Sequence, residues 1–174
     1  MDKMKVNRGI QTVKEIETSL RHFLNKNLSR VIVSVFCHQG TLEDLHHSEP
    51  CLIFDDETWF WCIGRYGEFL HIDEKTIPKP TEDLTDDALN GAYGEYIHME
   101  ITEHPQFQKF NNQPLTACHL LSSTIANSII GVELSFGHSP MTFVYQGDEP
   151  HLFATPARHR FESLRCEPSY LVSY

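Results

Sequence analysis

Eleven histidines and five cysteines give this 174-residue chain the material for metal or nucleophilic chemistry, so their spacing needs testing. His98-Met99-Glu100 matches an H-x-E element, in which the histidine binds zinc and the glutamate moves protons. The partner element, P-C-x-x-C further along the chain, is absent, and Pro50-Cys51 lies upstream without a second cysteine. On a strand His98 and Glu100 share a face, with Glu103 and His104 close behind, a set that suits a divalent metal or an acid–base pair. An exposed polar face on a half-buried strand explains the same pattern and is the preferred reading. His46-His47 is a loop pair whose rings do not easily meet at one ion. Cys37-His38 and Cys118-His119 set thiol beside imidazole, but neighbours on a strand point to opposite faces, so adjacency activates neither sulfur. No H-E-x-x-H, G-x-S-x-G, phosphate-loop or dinucleotide motif occurs. The balance leans against an enzyme, and neither a cofactor nor a metal is expected.

The stronger signal joins charge to aromatic rings. Residues 43–103 hold 16 Asp/Glu against 3 Lys/Arg, whereas residues 1–42 hold 7 basic and 3 acidic. Such a segment repels nucleic acid and anionic membrane and attracts a basic protein. Within it, Asp55, Asp56 and Glu57 precede Trp59 and Trp61, two apart on one strand face. Tyr66 and Tyr93 lie in turns, and Glu82, Asp83, Asp86 and Asp87 crowd a polar stretch. Acidic rims around aromatic anchors suit a tight interface: charge speeds encounter, and ring burial supplies binding energy. The expected partner-binding set is therefore Asp55, Asp56, Glu57, Trp59, Trp61, Tyr66, Glu82, Asp83, Asp86 and Asp87. Tryptophans facing the core, with acids that merely solubilise, are the alternative.

These residues need elements to position them. Ile10, Val13, Ile16, Leu20, Phe23, Leu24 and Leu28 recur at three- and four-residue steps, the stripe of an amphipathic helix of about five turns. Asn7 or Gly9 can cap it, and Thr12 with Glu15 has capping-box spacing. Residues 31–37 are an apolar, β-branched run that reads as a central strand buried on both sides. Residues 51–54, 59–63 and 68–72 follow as a meander with short turns. Residues 76–94 read as a long acidic surface loop, with one helical turn near 81–89. Strands are expected at 96–101, 115–121, 129–136, 141–145 and 151–154, and a short helix at 105–110. The expected fold is α+β: one domain with an N-terminal amphipathic helix packed on a mostly antiparallel sheet.

Length and an apolar content of 40% suit one globular domain. No apolar run approaches the roughly 18–20 residues that span a bilayer, and the polar start MDKMKVNRGIQ is not a secretory signal. Five widely spaced cysteines then read as reduced, buried thiols in a cytoplasmic protein.

The C-terminal half carries a pattern of its own: Ile129-Ile130-Gly131-Val132-Glu133-Leu134-Ser135-Phe136, then Met141-Thr142-Phe143-Val144-Tyr145-Gln146-Gly147-Asp148-Glu149, then His151-Leu152-Phe153. This strand, turn, strand, Gly-Asp-Glu turn and short strand resembles the terminal meander of small bacterial immunity proteins. It covers about 25 of the 174 residues, and size and acidity fit the same class. The resemblance implies a stoichiometric inhibitor of a cognate toxin, with a nuclease the expected kind, since an acidic surface would cover its Lys/Arg-rich phosphate site. It assigns no role to any residue. A small metal-dependent enzyme using His98, Glu100, Glu103 and His104, and an acidic secretion chaperone, are the competing expectations.

Overall fold

The computed structural model describes residues 10–174. Thr12 caps the first helix, α1 (Val13–Arg21). Its hydroxyl accepts from the Glu15 N–H, and the Glu15 carboxylate accepts from the Thr12 N–H, a complete capping box. Asn7 and Gly9, the other candidate caps, lie outside the described residues. The helix is about half as long as its apolar stripe predicts. Ile16 and Leu20 are buried from the helix, but Phe23 and Leu24 are buried from a turn and Leu28 from a strand. Tertiary pairing took over the last part of the periodic segment. Asn25 turns with φ 65°, its N–H donates to Leu115 O at 2.8 Å, and the Leu28 N–H donates to Gln113 O at 2.9 Å.

Strands dominate the rest, and every pairing among them is antiparallel. The first sheet holds β1 (Leu28–His38), β2 (Thr41–Leu42), β3 (Glu49–Phe54), β4 (Trp59–Arg65), β5 (Phe69–Asp73) and β6 (Glu95–Glu100). β1 is central, as expected, with β3 on one side and β6 on the other, and β4 and β5 follow β3. β2 folds back on the end of β1. The second sheet runs β10 (Glu149–Phe153), β9 (Ser139–Gln146), β8 (Ile129–Phe136), β7 (Leu115–Ser123), β11 (Cys166–Val172). The single meander expected from the sequence is thus two sheets. Period-2 patterning orients side chains within each strand but does not say where one sheet ends.

The sheets share one apolar cluster. Val31, Val33, Phe54, Phe60 and Leu70 enter it from the first, and Cys118, Val132, Leu134, Phe136 and Phe143 from the second, joined by Ile16 and Leu20 of α1. Each large side chain buried there contributes roughly 1.5–3 kcal/mol. Tyr145 of the second sheet lies directly over Gly64 of the first: a Cβ on Gly64 would fall 2.0 Å from the tyrosine ring. All five cysteines are buried and free. Burial pushes the thiols of Cys51 and Cys118 up to about 12 and that of Cys166 up to about 11.

The expected loop at 76–94 resolves into three parts. Residues 74–81 cross the outer face of the first sheet as a strap, pinned by Ile77 packing beside Trp59 and Trp61 and by the Thr81 N–H donating to His98 O at 2.8 Å. An acidic bend follows at 82–85. Then comes a short helix, α2 (Asp86–Asn90), capped by Thr85, which seats Ala88 on Val35, Cys37 and Ile97. The helix expected at 105–110 is a single 3-10 turn at Gln108–Phe110. Another short helix, α3 (Phe161–Leu164), precedes β11.

Candidate functional site

The acidic residues singled out in the sequence go to different places. Asp55, Asp56 and Glu57 form the β3–β4 turn, beside the start of β1, where Leu28 pairs with Phe54. They are exposed, but two of them are in use. Asp56 makes an ion pair with Lys26 at 2.7 Å, and Asp55 accepts from the Asn27 side-chain amide at 2.9 Å. Hydrogen bonds from Lys26 and Thr58 hold the Asp56 carboxyl down at about 2. Asp86 and Asp87 sit at the other end of β1, where the Gly40 N–H donates to Ala88 O. An 11-residue strand spans about 35 Å, so these two acidic groups do not form one patch.

The far end is the richer surface. Glu82, Asp83, Asp86 and Asp87 are exposed, and none of the ion pairs among the described residues involves them. Arg65, the cation at the top of β4, is held by Asp73 at 3.2 Å. Tyr66 is 62% exposed, Tyr93 92% and Tyr96 65%. Tyr96 packs its ring 5.2 Å from that of Phe36, and burial together with Glu49 and Glu43 pushes its hydroxyl pKa up. Turn residues 66–67 abut a further acid, since the Asp148 N–H donates to Gly67 O at 3.2 Å. Glu43, Glu68, Asp148 and Glu149 are exposed at this same end. Of the expected set, the structure gathers Tyr66, Asp86 and Asp87 here and adds Tyr93 and Tyr96. Tyr96 escaped sequence reading because strand alternation did not show that its ring lies open at a sheet edge.

Trp59 and Trp61 are neither in the core between the sheets nor free. Both lie half-buried on the outer face of the first sheet, over Ile32, Cys51 and Ile53 and beneath the strap. The Trp59 indole N–H donates to Lys75 O, and the Trp61 ring meets that of His98 edge-on at 5.9 Å.

The four residues of the metal reading are each engaged separately. Glu100 takes a forked hydrogen bond from Arg30, closest at 2.7 Å, which lowers its carboxyl pKa. Glu103 accepts from Asn111 at 3.3 Å, and His104 Nδ1 accepts from the Gln106 N–H at 3.3 Å. His98 does share the outer face with Glu100, but it turns toward Trp61, and burial lowers its pKa. Among the described residues, no group of three or more His, Cys, Asp or Glu side chains is arranged to hold a metal ion.

Two polar constellations arise only on folding. His47 and His151 bring their rings within 5.5 Å across the gap between the sheets, and burial, helped by His47, lowers the His151 pKa. On the outer face of the first sheet, Ser34 lies opposite both Glu49 and His98 in the strand register. Glu49 stands where β3 and β4 have stopped pairing and replaces the missing strand by accepting the Gly64 N–H at 3.3 Å. Burial pushes its carboxyl pKa up.

No family model, curated protein or solved structure matches this chain.

Proposed function

We propose that this chain is an immunity-type binding protein, a single cytoplasmic domain that covers and neutralises a basic toxin domain. One observation supports this above the others: at one end of the first sheet, three exposed tyrosines stand among carboxylates that no cation among the described residues compensates. Tyrosine offers a large rigid contact area at low entropic cost, and a cluster of such rings is what interface hot spots are made of. Unpaired carboxylates around it accelerate encounter with a positive surface and penalise wrong partners. A nuclease toxin fits best, because it needs Lys/Arg to hold phosphate. In this reading the tyrosine end makes the main contact, with Glu82 and Asp83 on its flank. Asp55, Asp56 and Glu57 steer from a distance, and α1 and both sheets form the rigid unit behind them.

The test is a titration of the whole chain against the product of the gene directly upstream, at low and high salt. A 1:1 complex that weakens with salt and shields Tyr66, Tyr93 and Tyr96 from solvent is expected. Absence of a complex, or one that leaves the three tyrosines exposed, removes this reading. Binding only to an unfolded segment of the partner would identify a secretion chaperone instead.

A further inference from the structure

The outer face of the first sheet holds a cleft of about 530 Å³ between the strap and the strands, inside the range of small-ligand sites. It is lined by Ser34, Glu49, Trp61, Ile77, Lys79 and His98, among others. Strand register builds its polar end. Ser34 on β1 faces Glu49 on β3 and His98 on β6, so three polar side chains stand in a row, neighbouring Cβ atoms about 5 Å apart.

Their hydrogen bonding is incomplete. Glu49 Oε1 accepts from Gly64, while Oε2 has no partner among the described residues. The Ser34 hydroxyl has none either, and His98 Nδ1 is buried without one. A buried polar atom left unpaired costs about 1–3 kcal/mol, which applies here to His98 Nδ1; the free positions on Ser34 and Glu49 open to the cleft. The Trp61 ring and Ile77 form an apolar wall, and Asp73 and Lys75, ion-paired with each other at 3.4 Å, line the far side. Lys79, at the mouth, is exposed and makes no ion pair among the described residues.

We propose that this cleft binds a planar nitrogen heterocycle with a hydrogen-bond-donor edge, of the guanine type. The ring would lie against Trp61 and donate its N–H edge to Glu49, with the Ser34 hydroxyl and His98 Nδ1 completing the polar contacts. Stacking on an aromatic face serves any such ring; the carboxylate selects the one with adjacent donors. Burial disfavours the charged form of Glu49, and an N–H edge supplies the donors the carboxylate lacks. A nucleoside needs only this row. A nucleotide gains Lys79 for its phosphate.

Calorimetry on the whole chain with guanosine, guanosine monophosphate, adenosine monophosphate and inorganic phosphate tests the site. Both guanine compounds should bind saturably. Adenosine monophosphate should bind at least about tenfold more weakly, because its ring edge lacks the paired donors. Glu49→Gln should cost guanine binding at least about tenfold, and Lys79→Ala should abolish any advantage of the nucleotide over the nucleoside. If Glu49→Gln does not fold, Ser34→Ala should still weaken guanine binding several-fold. No saturable binding up to millimolar concentration overturns the proposal. So does equal binding of adenine and guanine compounds, or binding of phosphate as tight as that of the nucleotide. The toxin-binding reading is untouched by any of these outcomes, since the tyrosine end lies outside the cleft.

Discussion

The two ends of the first sheet carry the same kind of charge in opposite conditions. At the β3–β4 turn the acids are consumed locally: Asp56 by Lys26, Asp55 by Asn27. At the far end the carboxylates of Asp86 and Asp87, with Glu82 and Asp83 on the flank, have no cation against them among the described residues, and exposed tyrosines stand nearby. Net charge along a sequence therefore overstates the available field wherever the fold supplies a partner. A carboxylate already paired in the free protein has to exchange one cation for another on binding and gains little. One left unpaired contributes its full attraction.

Breaking this asymmetry should have its largest effect on binding. Reversing Asp86 and Asp87 to Lys together with Tyr96→Ala should weaken the toxin complex about a hundredfold or more by calorimetry. Reversing Asp55 and Glu57 should leave affinity within about threefold at moderate salt. Equal losses at both ends would erase the distinction. The next effect is on the scaffold behind the far end. Gly64→Ala drives a methyl into the Tyr145 ring and should lower unfolding free energy by about 2 kcal/mol or more in urea titration. Smaller still, Lys26→Met should release the Asp56 carboxyl toward its ordinary 3.8 from about 2, read by carboxyl NMR, with little change in stability, as for other exposed ion pairs.

The smallest effect is one of pH, and its sign is fixed. Asp56 has its pKa depressed in the folded chain, so its contribution is present above about 3.8 and is lost as pH falls through about 2. Glu49 is shifted the other way: its protonated form favours the fold, so its contribution is present below the ordinary carboxylate range and fades as pH rises through its folded value. At a pH where the folded Glu49 carboxyl is ionised, Glu49→Gln should raise the melting temperature slightly, provided its amide oxygen keeps the Gly64 hydrogen bond. A drop of several degrees would mean that the ionised carboxylate is itself needed.

Much of the fold was legible where one strand has one wet face and one dry face. Ile130, Val132, Leu134 and Phe136 alternate in the sequence and are buried in the structure. The β3–β4–β5 turns fell where Asp, Thr and Gly residues cluster. β11 was not legible, because five of its residues are exposed in succession, with Pro168 and an irregular register among them. An edge strand held mainly by backbone pairing has no apolar period to betray it. The α1 stripe misled for the converse reason: Phe23, Leu24 and Leu28 are apolar for the core's sake, not the helix's. The row of Ser34, Glu49 and His98 was beyond reach, since its members are far apart in sequence and only strand register makes them neighbours. Glu49 looked like one more acid in an acidic segment.

The five buried thiols turn the molecule into its own clock. None is paired, and they occupy distinct layers: Cys37 under α2, Cys51 beneath the strap, Cys62 and Cys118 between the sheets, and Cys166 in the smaller cluster beneath α3. Hidden from solvent, a thiol reacts with an alkylating reagent only while its own layer is open. Pulsed alkylation read by mass spectrometry would thus time each opening separately, without adding a label. Cys51 reports the strap releasing the cleft, Cys37 reports α2 lifting from the tyrosine end, and Cys118 waits for the two sheets to part.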